Sequence, residues 1–227
     1  MGGIATIRRV GRRLLILTAL EYEAKAIARR IGDAAGVELR VVGPGATRLP
    51  AAAELASFDA VIMAGVAGAL DPQFQIGDVV VDGDIHRPAE RWRRGKIYPS
   101  KTIAATAAQK AALFAETGAL AVDMEHAAVR AWAEQAGVAF VGVRAISDRA
   151  DEALDPAVLR LVDSSGRLRP GRLAAELCRR PTLVVALLRL RPRSALAVTN
   201  LADAVAQIVA SPDALLSFSR APGTTAP

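Results

Sequence analysis

The 227-residue chain is 52% hydrophobic and 23% charged, a globular composition that excludes a disordered or fibrous protein. That length supports one domain with a full core, or at most two small ones. The net charge of +6 asks for an anionic partner, while 4% aromatic content disfavours a base-stacking nucleic-acid surface.

In chain order, residues 1–12 read as a loose basic lead-in. The run "LLILTAL" (14–20) is too short for a signal peptide, ends at Glu21 without a cleavage pattern, and reads as a buried first strand. "EYEAKAIARRIG" predicts a helix closed by Gly32. "VELRVVGPG" (37–45) is a second strand running into a glycine loop, and "ATRLPAAAELASF" a helix interrupted near Pro50. "DAVIMAGVAGAL" (59–70) is a doubly buried third strand, and "IGDVVVDGDI" (76–85) a further one. "HRPAERWRRGKIYPS" is irregular and reads as a loop. A helix over Thr106–Thr117 follows, then a short strand into Val122 and a helix to about Ala136. "VAFVGVRAISD" (138–148) is the last strand. Beyond Asp155 the pattern is helical and punctuated by Pro156, Pro170, Pro181 and Pro192, and residues 212–227 read as a frayed tail. No stretch reaches the roughly 20 apolar residues that span a bilayer. The single cysteine, Cys178, fits a reducing cytoplasm and reads as a packed small hydrophobe.

Nearly all-apolar strands alternating with helices predict an α/β fold, a three-layer sandwich around a mostly parallel mixed sheet. The expected core spans residues 13–152, with residues 153–211 as a helical, arginine-rich extension of the same domain. In such sheets ligands collect at the carboxyl ends of strands. That rule selects Glu21–Glu23, Gly43–Gly45, Gly65–Gly68, Asp123–Glu125 and Ser147–Asp148. "GVAGAL" can bring backbone amides close to a ligand, yet "GPG" lacks a P-loop lysine and no G-x-G-x-x-G follows the first strand. Asp148, just past a buried strand, suits a general acid oriented by the Ser147 hydroxyl. Asp123 reads as an ordinary helix-start acid. No metal-ligand spacing is present.

The segments "TALEYEAKAI", "GVAGAL", "AVDMEHAAV" and "FVGVRAISDRAD" resemble, in order and spacing, the purine nucleoside phosphorylase/nucleosidase superfamily over about residues 13–152. They look most like the branch containing methylthioadenosine/S-adenosylhomocysteine nucleosidase. The short middle and the arginine-rich end look like the hopanoid-associated phosphorylases, thought to release adenine from adenosylhopane. The resemblance implies that Asp148 protonates the purine at N7 and that Glu125 accepts hydrogen bonds from the ribose hydroxyls. Met124 would pack on the sugar, Ile103 would line the base, and Ala67, Gly68 and Ser147 would complete the substrate site. Glu23 matches the carboxylate that activates water in the hydrolases. A cytoplasmic homodimer without a cofactor is implied, acting on a small nucleoside and not on nucleic acid.

Phosphorylases of the superfamily place an arginine and a hydroxyl residue where this chain has Met63 and Val66. Either water is the nucleophile, or phosphate is a co-substrate held by Arg144, Arg48 and the amides around Gly45. His126 either faces the pocket or lies on the helix surface. Between Ser164 and Thr199 Glu176 is the one acid against Arg167, Arg169, Arg172, Arg179, Arg180, Arg189, Arg191 and Arg193. Such a segment either solvates a packed helix or meets anionic headgroups at the inner face of the membrane, where a lipid-linked nucleoside would be found. The competing class is a basic, non-catalytic nucleotide- or nucleic-acid-binding domain.

Overall fold

Leu14 and Ile16 point to one face of strand β1 (Leu14–Thr18) and Leu15 and Leu17 to the other, and all are buried. A strand covered on both sides needs apolar residues at successive positions, which is why this stretch shows no alternation. The computed structural model describes residues 12–86, 89–100, 102, 104–153 and 183–216. Along the described chain follow α1 (Glu21–Ile31), β2 (Val37–Val41), β3 (Ala60–Ala69), β4 (Val79–Gly83), β5 (Trp92–Arg94) and β6 (Ile97–Pro99). Then come α2 (Ala107–Thr117), β7 (Ala121–Asp123), α3 (His126–Gln135), β8 (Ala139–Asp148) and α4 (Leu183–Ala210).

The sheet runs β2-β1-β3-β8-β4-β5. Pairing is parallel from β2 through β8, whereas β4 lies antiparallel to β8. β7 pairs antiparallel with the far end of β3 and carries β6 beside it. Helices α1 and α4 cover one face, where Ile27, Leu201, Val205 and Ile208 meet Ile16, Ile62 and Val143. Helix α3 covers the other, where Val129 and Ala133 meet Leu17, Met63 and Phe140. The mixed three-layer α/β sandwich expected from the sequence is the observed fold.

Four local expectations change. The "loop" after Ile85 contains β5 and β6, pinned by the buried Trp92 and Ile97. Three-residue strands with one buried anchor each are too short to show a period. The helix expected over residues 46–58 is instead a 3₁₀ segment, Ala52–Ser57, with a second one, Pro44–Ala46, in the glycine loop before it. Pro44, Gly45 and Pro50 all resist α-helix in that stretch. Pro192 does not end its helix: α4 runs through it, held by Ala197, Leu201, Ala204 and Val205 packed on the sheet. Finally, residues 212–216 are docked, with Leu216 buried and bridged to Ile85, and Arg12 paired to Asp213 at 2.8 Å.

Candidate active site

Glu23 sits at the third position of α1, where a carboxylate meets the unpaired amides of the helix start. One oxygen, Oε2, does accept the Leu20 N–H at 2.9 Å. The other crosses to β3 and accepts the Val66 N–H at 3.0 Å. Gly65 eases this approach, since a Cβ there would make a tight contact of 3.3 Å with Oε1. The side chain is 2% exposed. Burial pushes the carboxyl up to about 7, against the downward pull of the two amides and of Arg144, while Glu125 adds to the rise. Such a group changes protonation near neutral pH, as a general base should.

Asp123 ends β7, and Glu125 immediately precedes α3. Asp123 is a helix-start acid in part, for Oδ1 accepts the His126 N–H at 3.1 Å. Its other oxygen holds Arg144, through Nε at 2.6 Å and through NH2. Arg144 is 0% exposed and also donates to the carbonyls of Met63 and Val143. A cation in the middle of an apolar strand demands such partners. Its charge opposes the rise that burial imposes on Glu125. Glu125 Oε1 accepts the Gly45 N–H at 2.8 Å, at the tip of a turn in which Gly43, Gly45 and Ala46 all have positive φ.

Asp148 ends β8, where the register against β3 slips: Ala67 pairs with Ile146 and Gly68 with Asp148, leaving Ser147 as an extra residue. A β-bulge of this kind re-aims side chains. Ser147 Oγ donates to Asp148 Oδ1 at 2.8 Å and lies 3.2 Å from the Ala67 carbonyl. Lys110 of α2, 0% exposed, donates to Asp148 Oδ2 at 2.5 Å. A Cβ at Gly68 would lie 2.9 Å from that same oxygen.

The structure therefore brings Glu23, Glu125, Ser147 and Asp148 to the strand ends around β3, with the half-buried Met124 beside Glu125. Ala67 and Gly68 make their contacts with the Ser147–Asp148 bulge. Ile103, Cys178 and most of the arginine-rich segment lie outside the described residues. Of the groups expected to hold phosphate, Arg144 is buried on Asp123, the Gly45 amide is taken by Glu125, and Arg48 alone is exposed. Among the described residues no cluster of His, Cys, Asp or Glu is placed to hold a metal ion. No helix there is long and apolar enough to cross a membrane.

His126 turns toward the sheet. Its ring packs on Gly142, where a Cβ would come within 2.3 Å, and Nε2 lies 3.0 Å from Asp82 Oδ2. Burial lowers its basicity, against the pull of Asp82. Burial also works against the charge on Asp82, yet His126 and Arg130 hold that carboxyl down at about 2. The residue missed in the sequence is Lys110. It shares the inward stripe of α2 with Leu113 and Phe114, so a cation at a core-facing position was the available signal.

Residues 87–178 match the Phosphorylase superfamily. The fold is that of nucleoside phosphorylases and nucleosidases. The 5′-methylthioadenosine/S-adenosylhomocysteine nucleosidase of Neisseria meningitidis, in complex with methylthio-immucillin-A, aligns with a TM-score of 0.62 at 18% identity, over 88% of this chain and 99% of that one. A Helicobacter pylori MTAN mutant with 5′-methylthioadenosine in its active site gives 0.61 at 16% identity, over 88% and 99%. The futalosine hydrolase of Helicobacter pylori strain 26695 gives 0.60 at 16% identity, over 88% and 98%. No curated protein sequence matches the chain.

Proposed function

We propose that this chain is a nucleosidase that hydrolyses the N-glycosidic bond of a 5′-substituted adenosine and releases adenine. The observation that carries the reading is Glu23, a buried carboxylate brought to about 7 beside Glu125 and across β3 from Asp148. Glu23 takes a proton from water as the oxygen attacks C1′. The C1′–N9 bond breaks, its electron pair enters the purine, and N7 is protonated at Asp148. Glu125 accepts hydrogen bonds from the ribose hydroxyls, and its charge favours the oxocarbenium-like sugar. The engagement of Arg144 and Gly45 within the protein favours water over phosphate as the nucleophile.

For the 5′ substituent, the sequence resemblance and the arginine-rich segment favour adenosylhopane. The structural likeness to methylthioadenosine nucleosidases favours the smaller thioether. Adenine release is measured with adenosylhopane and with methylthioadenosine, each with and without phosphate. Phosphate-independent release supports the proposal, and a strict phosphate requirement overturns the hydrolytic step. Release from neither nucleoside, alongside salt-sensitive RNA binding, overturns the enzyme reading.

A further inference from the structure

Both oxygens of Asp148 accept hydrogen bonds, one from the Ser147 hydroxyl and one from the Lys110 ammonium. A carboxylate gripped in this way is well oriented, and the Lys110 Nζ stands in hydrogen-bond contact with one of its oxygens. The remaining Lys110 donors are also engaged, with the carbonyls of Arg149 at 2.7 Å and Glu152 at 3.0 Å. A lysine with no exposed surface and an acceptor at each N–H is fixed in position. Other charged side chains of the segment packed on it have partners elsewhere: Arg149 pairs with Asp151, and Glu152 with Arg193 of α4. The Lys110 ammonium is thus left to Asp148.

We infer that Lys110 is a positioning residue that shares its proton with Asp148, so that the general acid of this site is the Lys110–Asp148 pair. The inference rests on the proposed nucleosidase reading. As the C1′–N9 bond breaks, an Asp148 oxygen passes a proton to N7 and receives one from Lys110 Nζ, which becomes a neutral amine. Glu23 gains the proton lost by the attacking water. After product leaves, solvent carries one proton from Glu23 to Lys110, and the count closes.

Two substitutions separate proton sharing from simple anchoring. Lys110→Met removes both the cation and the proton, whereas Lys110→Arg keeps a cation that does not give up its proton. Adenine release is followed from acid to alkaline pH for both variants, the wild type and Asp148→Asn, with thermal melts confirming the fold. We expect kcat to fall about 10²-fold in both lysine variants with KM within about threefold, and activity in Lys110→Met to be lost at lower pH than in the wild type. Wild-type kcat in Lys110→Arg, or an unchanged pH profile in Lys110→Met, overturns the inference. Should neither variant fold, the wild-type profile decides: a kcat that collapses between neutral and mildly alkaline pH overturns it, and one that persists supports it. Asp148→Asn with full turnover would overturn instead the reading of the site itself.

Discussion

Glu23 and Asp148 reach β3 from opposite flanks, one after β1 and the other at the end of β8, and both are almost fully buried. Their partners differ. Glu23 is held by two backbone amides, and its nearest cationic influence, Arg144, is committed to another carboxylate. Asp148 touches an ammonium and a hydroxyl. Burial with only dipoles for company favours the neutral form, whereas an ammonium in contact compensates the charge. One fold thus gives two buried carboxyls different electrostatic settings by choosing what surrounds each.

The comparison breaks most visibly at Asp148. Asp148→Asn keeps the shape but carries no transferable proton, and turnover should fall by about 10²–10⁴-fold in a steady-state adenine-release assay. At Glu23 the expected signature is in stability as well as rate. Its folded pKa is raised from 4.5 to about 7, so its contribution to stability is complete below 4.5 and is lost as pH rises through about 7. Glu23→Gln should therefore match the wild type in acid and exceed it by about 3 kcal/mol well above neutrality, read from urea midpoints across pH. The same variant should lose turnover, for want of the base. Ser147→Ala sharpens the contrast at its smallest scale. Losing one of two donors to Asp148 should lower kcat by about five- to tenfold, in keeping with a hydrogen bond of about 1 kcal/mol.

Much of this arrangement was legible from residue order. β1, β3 and β8 are covered on both faces, so their apolar runs stand out, and the acids that follow them are conspicuous at strand ends. Glu23 and Asp148 were visible for that reason. The Arg144 charge inside "FVGVRAISD" was equally visible, but its partner Asp123 lies 21 residues away, so the pairing of the two was not legible. Lys110 and Asp148 are 38 residues apart, and nothing local on either marks the other. β5 and β6 escaped because a single buried side chain cannot establish a period. His126 was undecidable, since the space that receives its ring is made by Gly142 on a different element.

The slip between Ala67 and Gly68 has a meaning for how such a site arises and disappears. β8 enters the sheet in phase with its neighbour and leaves one residue out of phase, with Ser147 as the added count. Deleting that single residue would restore an unbroken ladder and improve the strand as a strand. It would also remove the hydroxyl that steadies Asp148 and shift the carboxylate by one place relative to Lys110. The geometry of this strand end is written in the length of the chain as much as in its letters, so a descendant could keep the fold intact and lose the proposed site by one codon.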